Sequence, residues 1–267
     1  MTRFTLDQIR DFWQRQALEH GLSPSASWSD HPVMEMEIRE IARHLNDGDR
    51  VLDVGCANGY STVRLASERR VSIRGIDYIP EMIEEARKRL IGVHERLQGS
   101  AEFDVGDILD LREPVLYDKV IVIRVLINLG TTENQLLAIQ QCARVIKPGG
   151  LLLVSEATVQ GWQRLNTFRR QWGLNDISMP PFNHYIDEVT VRDAAPDLEL
   201  LDIVNFASSY YVGTRVLKPL LVRALGANVA VSDPSAEWNR FWSLMPPAGD
   251  YGTQKLFVLR KRDGANA

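Results

Sequence analysis

Between residues 50 and 155, short β-branched runs alternate with longer stretches of helical period, and that alternation restricts the chain to a parallel sheet with crossover helices. The strand candidates are 50–54, 71–76, 101–105, 117–123 and 151–155. Met82, Ala86, Leu90, Val93 and Leu97 recur at spacings of three and four, the stripe a helix needs to lie on a sheet, and Pro80 suits its first turn. Thr132 with Gln135 reads as a capping box ahead of Leu136, Ile139 and Ala143. Lys147-Pro148-Gly149-Gly150 then stops that helix and turns the chain into the fifth strand. Upstream, Asp30 and Pro32 introduce a helix with Met34, Ile38, Ile41 and Leu45 on one face, and another helix is expected over 6–20. Downstream, 161–172 reads as helical, 178–185 as a Pro-rich loop, 187–194 as the start of a helix, and 198–206 and 255–260 as the last two strands. About fifty residues separate that last pair, too many for a hairpin, so an inserted helical lid is expected there.

Length and composition narrow the function classes. At 267 residues, 45% apolar and 25% charged, the chain can bury a full core, and one elaborated domain over 1–267 is expected. A formal charge of −4 without a basic block argues against nucleic acid as a substrate. Cys56 and Cys142 form no C-x-x-C and no pairing framework, which fits a reducing, cytoplasmic setting; Cys56 reads as a small buried filler. The start lacks the apolar core of a signal peptide, and the most apolar stretch, 115–129, is broken by Asp118, Lys119 and Arg124, so no membrane partner is expected.

The most specific motif is Val51-Leu-Asp-Val-Gly-Cys-Ala-Asn-Gly59, a buried strand running into a Gly-x-x-x-Gly turn that opens a helix. Glycine is needed where backbone turns tightly and lets a ligand approach. Eighteen residues after Gly59, Asp77 ends the second strand, where a carboxylate can accept both hydroxyls of a ribose; Asp107 follows the third strand. In order and spacing these features resemble the class I S-adenosylmethionine-dependent methyltransferases, over roughly residues 30–155. The resemblance implies an α/β, Rossmann-like, mostly parallel sheet of seven strands with helices on both faces, a cofactor-binding core at about 30–155, and a substrate-facing lid with insertions at about 156–250. It also implies S-adenosyl-L-methionine as cofactor. Asp53, Gly55 and Gly59 would line its methionine part, Asp77 would hold the ribose, and Ile79 and Met82 would pack on the adenine. Asp107 and the amide of Ile108 would read the adenine edge, Arg124 would offer a backbone carbonyl to the cofactor's amino group, and Trp28 could close over the site. An acid at a strand end can also simply cap the next helix.

Ligands of open α/β sheets sit beyond the carboxyl ends of the strands, which nominates Arg124, Asn128 and the loops after the fifth and sixth strands, with Glu156, Tyr210 and Tyr211 as substrate contacts. Family members that methylate amino groups of bases carry an Asn/Asp-Pro-Pro-aromatic motif after the fourth strand; here Ile123-Arg-Val-Leu-Ile-Asn-Leu129 stands instead, and base methylation is not expected. Of five histidines, His184 alone sits in a polar loop on the expected side, so it is the candidate base, with a lone surface residue as the plainer reading. No Asp/Glu/Asn cluster of metal spacing follows the fourth strand, and no metal is expected. The expected reaction is O-methylation of a hydroxyl on a sugar, glycan precursor or other small metabolite. N- or C-methylation of a natural product, a nicotinamide dehydrogenase and a non-catalytic cofactor-binding protein stay open, as does the oligomeric state.

Overall fold

The computed structural model describes residues 4–226 and 230–263. Two helices, α1 (Leu6–His20) and α2 (His31–Ala42), precede an alternation of β1 (Arg50–Val54), α3 (Tyr60–Glu68), β2 (Ser72–Asp77), α4 (Pro80–Val93), β3 (Ser100–Val105), β4 (Tyr117–Ile123), α5 (Thr132–Arg144) and β5 (Ile146–Ala157). After α6 (Val159–Gln171) and α7 (Glu188–Arg192) come β6 (Leu198–Val204), α8 (Ser208–Val212), a π-helical turn (Gly213–Leu217), α9 (Lys218–Leu225), α10 (Glu237–Ser243) and β7 (Gln254–Lys261). The seven strands form one sheet in the order β3-β2-β1-β4-β5-β7-β6. The first five pair in parallel, and β7 is antiparallel to both β5 and β6. The strand order reverses between β1 and β4, which opens a crevice at their carboxyl ends.

Both faces are covered because successive side chains of the central strands alternate. Leu52, Val120 and Leu152 face a layer holding α5 and α7, while Val51, Ile121 and Leu153 face α2 and the inserted helices. On α2 the stripe of Val33, Met34, Ile38 and Ile41 is buried, and so is one charged residue within it, Glu37.

Three local readings change. The expected capping box at Thr132 and Gln135 moves back one residue: Thr131 is the N-cap, accepting from the amide of Asn134 at 3.2 Å, while Gln135 Nε2 donates to the carbonyl of Leu126. Strand β5 starts at Ile146 and runs through Lys147-Pro148-Gly149-Gly150, because a register shift between Tyr117 and Lys119 of β4 absorbs the turn. Asp30 precedes α2 but makes no capping bond; its buried carboxylate accepts from the Tyr210 hydroxyl at 2.6 Å and from Arg215.

That last contact fixes the inserted segment. Tyr210, Tyr211, Val216 and Trp242 pack with Val33 and Met36 of α2, so the insertion buttresses one sheet face. Losing a helix cap costs about 1 kcal/mol, whereas removing one partner of a buried ion pair costs roughly 3 kcal/mol or more. Asp30→Ala is therefore expected to lower the unfolding free energy in urea by the larger amount; a loss of cap size would show that the Tyr210 and Arg215 contacts contribute little.

Candidate active site

A cavity of about 480 Å³ opens at the β1/β4 crevice. One side is floored by the glycine turn. Gly55 and Gly59 both take positive φ, 76° and 72°. A Cβ on Gly55 would stand 2.2 Å from Val125 Cγ2, and one on Gly59 would stand 2.7 Å from the Phe103 ring. Protein packing thus demands both glycines; Gly55 lines the cavity, and Gly59 does not.

The acids at the strand tips differ in their environments. Asp53 is buried, its Oδ2 accepts from Thr62 Oγ1 at 2.6 Å, and its Oδ1 has no partner. Asp77 accepts from the amide of Ala57 at 3.0 Å and from that of Ile79 at 2.9 Å. Burial pushes each carboxyl up to about 6; backbone amides oppose the rise at Asp77 and Thr62 opposes it at Asp53. Asp107 is exposed, accepts from the amide of Leu109, and lines the cavity with Ile79, Met82 and Ile108.

Arg124 is a non-glycine residue at φ 55°. Its amide donates to Ser155 at 2.9 Å, its carbonyl accepts from Asn128 Nδ2 at 2.8 Å, and its guanidinium pairs with Glu37 and lies over the Trp28 ring at 5.0 Å. Glu37 also accepts from Ser155 and, at 3.0 Å, from Gln254. The cavity roof comes from α1, through Leu6, Arg10 and Trp13, and from the loop carrying Pro180 and Phe182. Phe182 packs on Phe12 with ring centroids 4.6 Å apart and meets Trp13 edge-on.

Of the expected site residues, Trp28, Asp53, Gly55, Asp77, Ile79, Met82, Asp107, Ile108, Arg124, Asn128 and Tyr211 line this one cavity. Gly59, Glu156, His184 and Tyr210 do not. Glu156 is fully buried; its Oε1 accepts from the amides of Val125 and Leu126, both at 2.7 Å, so it shapes the turn after β4. Burial raises its carboxyl to about 8 against those amides. The His184 ring lies 3.1 Å from Thr132 Oγ1, and the fully buried Tyr210 belongs to the Asp30 contact. Glu37 went unnoticed in the sequence, although a glutamate inside an apolar helical stripe is a readable signal. The roof left only Phe12 and Trp13 as a hint.

The arrangement suits a nucleoside carrying an amino-acid tail: carboxylates at neighbouring strand tips, apolar Ile79, Met82 and Ile108, and an orphaned buried oxygen that calls for a donor. Such a site on such a sheet defines a class of nucleoside-binding α/β proteins, and comparison narrows it. A family model described as a methyltransferase domain matches residues 45–178. The chain is 31% identical over 113 residues to a 27-O-demethylrifamycin SV methyltransferase of Amycolatopsis mediterranei, covering 42% of this chain and 40% of that one. It is 26% identical over 158 residues to a ubiquinone biosynthesis O-methyltransferase of Xylella fastidiosa, covering 56% and 62%. In fold it is similar to the N-methyltransferase NodS of Bradyrhizobium japonicum in complex with S-adenosyl-L-homocysteine, with a TM-score of 0.55, 17% identity and coverage of 93% and 98%. The chain spans about half the length of the curated relatives it matches. It belongs to the class I S-adenosylmethionine-dependent methyltransferases, and S-adenosylmethionine is its cofactor. Among the described residues no three His, Cys, Asp or Glu gather as a metal site, and no helix is long and apolar enough to cross a membrane.

Two outcomes follow from the raised carboxyls. Ligand hydroxyls and ammonium groups bind the ionised forms, so S-adenosylhomocysteine affinity should fall as pH drops through about 6, and Asp77→Ala should weaken it at least about tenfold at pH 7.5; calorimetry across pH 5–7.5 reads both, and a flat profile would contradict the assignment. Glu156 keeps its proton in the folded state up to about pH 8 and loses it near 4.5 when unfolded, so it subtracts stability increasingly across that window. Chemical denaturation should show Glu156→Gln gaining on the wild type as pH rises from 5 to 8; a constant difference would contradict the raised carboxyl.

Proposed function

We propose that this chain transfers a methyl group from S-adenosylmethionine to a hydroxyl oxygen of a small, largely apolar organic molecule. The observation that carries this reading is the set of apolar side chains that line the cavity besides Ile79, Met82 and Ile108, namely Leu6, Trp13, Ile127, Leu129, Pro180 and Phe182. Asn128 and Asn183 are joined by a 3.0 Å hydrogen bond and can orient an acceptor between them, with Tyr185 beside them. Of the residues that pointed to a sugar, Asn128 and Tyr211 line the cavity, whereas Glu156, His184 and Tyr210 do not. The rifamycin and ubiquinone relatives carry O-methyltransferase names or acceptors, which favours oxygen.

In this reading Asp77 accepts from the ribose hydroxyls, Ile79 and Met82 flank the adenine, and Asp107 with the amide of Ile108 reads its edge. When bound, the cofactor would supply a methyl activated on a sulfonium, with a neutral thioether as leaving group, and the acceptor's hydroxyl proton would pass to solvent. The chain's own task is then alignment and exclusion of water, performed by the α1 and Phe182 roof. No imidazole lines the cavity among the described residues.

Methyl transfer from labelled cofactor should be found with apolar phenols, enols or macrocyclic alcohols and should be absent with free sugars; turnover confined to sugars or amines would overturn the acceptor assignment. A positioned general base contributes about a hundredfold or more. His184→Gln should leave kcat/KM within about threefold, and a loss of the larger size would return His184 to the mechanism.

A further inference from the structure

We propose that the Arg124 guanidinium binds the α-carboxylate of the cofactor's methionyl tail and, with Asp53, forms a two-charge clamp for a zwitterion. The inference rests on the cofactor reading above and concerns a side chain that the resemblance leaves unassigned, since the family pattern uses this position through its main chain.

Register places the two charges together. Asp53 and Val54 of β1 pair with Ile121 and Val122 of β4, so Asp53 and Arg124 stand at the carboxyl ends of adjacent strands and line the same cavity. Arg124 is close enough for its charge to act on Asp53. Each has capacity to spare. Asp53 Oδ1 is buried without a partner. A guanidinium carries five N–H donors in a planar fork that matches a carboxylate, and among the described residues only Nη1 is engaged, by Glu37.

The remainder of the Arg124 environment holds it in one place. Glu37 takes one edge of the guanidinium, the Trp28 ring backs its face, and the amide and carbonyl are tied to Ser155 and Asn128. A left-handed backbone is unfavourable for a branched-chain-sized residue and persists only where surroundings over-determine it. Such fixing is of little use to an exposed arginine and suits one that must meet a ligand at set distance from a carboxylate. An ammonium on Asp53 Oδ1 and a carboxylate on the free side of Arg124 would satisfy both groups at once, with charge-assisted bonds at each end.

The test is ligand truncation by calorimetry on the full chain, which needs no turnover. Three probes are used: S-adenosylhomocysteine, its decarboxylated analogue that keeps the amine, and 5′-methylthioadenosine, which lacks the whole tail. The wild type should favour S-adenosylhomocysteine over the decarboxylated analogue by at least about tenfold. In Arg124→Met that preference should shrink to within about twofold, while methylthioadenosine binds as before and reports an intact nucleoside site. Arg124→Asn, a side chain that tolerates positive φ, is read in the same way should the Met variant lose methylthioadenosine. Arg124→Lys should recover part of the preference. A wild type indifferent to the carboxylate, or either Arg124 variant that keeps methylthioadenosine binding together with the full preference, overturns the clamp and leaves the cofactor reading standing. Failure of the wild type to bind any of the three probes overturns both.

Discussion

A single buried carboxylate organises the catalytic end of this molecule. Glu37 lies in the apolar stripe of α2, where an uncompensated charge would be costly, and it is compensated by Arg124 from the tip of β4, Ser155 of β5 and Gln254 of β7. Four elements distant in sequence are thereby held to one point. The pairing fixes where α2 lies on the sheet, which in turn places Trp28, just upstream, against the Arg124 guanidinium. Hydrophobic burial would hold α2 on the sheet in any case; the ion pair selects its rotation and height, because an apolar stripe alone tolerates small slides and a buried hydrogen-bonded charge does not.

The same economy appears on the far side of α2. Asp30 joins the inserted helices to the helix start through Tyr210 and Arg215, and Asn239 Nδ2 donates to the Tyr210 hydroxyl at 2.9 Å. The insertion between β6 and β7 is thus anchored by polar contacts within an apolar interface and contributes Tyr211 to the cavity. The roof is left to the N-terminal helix and to Phe182, whose ring packs among Phe4, Phe12 and Trp13. These edge-on and tilted ring contacts join α1 to the 178–185 loop above the cavity.

Much of the core was legible because its signals are local. Short β-branched runs, a helix stripe at spacings of three and four, Pro80 and the Gly55 to Gly59 turn are each read within a few residues, and the parallel order follows from alternation. Asp77 and Asp107 were legible for the same reason: a strand tip is a position in sequence. What escaped depends on contacts between distant residues. Gly55 is glycine because Val125 occupies the space a Cβ would take, seventy residues on. Glu156 sits directly after a readable strand, yet its neighbours are the amides of Val125 and Leu126 inside the wall. His184 lies in the expected loop and faces Thr132. In each case the segment was right and the direction of the side chain was not encoded nearby.

The dipeptide Ala57-Asn58 in the glycine turn is bonded on two sides. The Ala57 amide donates to Asp77, and Asn58 Nδ2 reaches over to the carbonyls of Gly21 and Ser23, both at 2.8 Å, where α1 ends. Two adjacent residues of one turn thus tie the tip of β2 to the end of α1, so the floor and the cover of the crevice share one anchor.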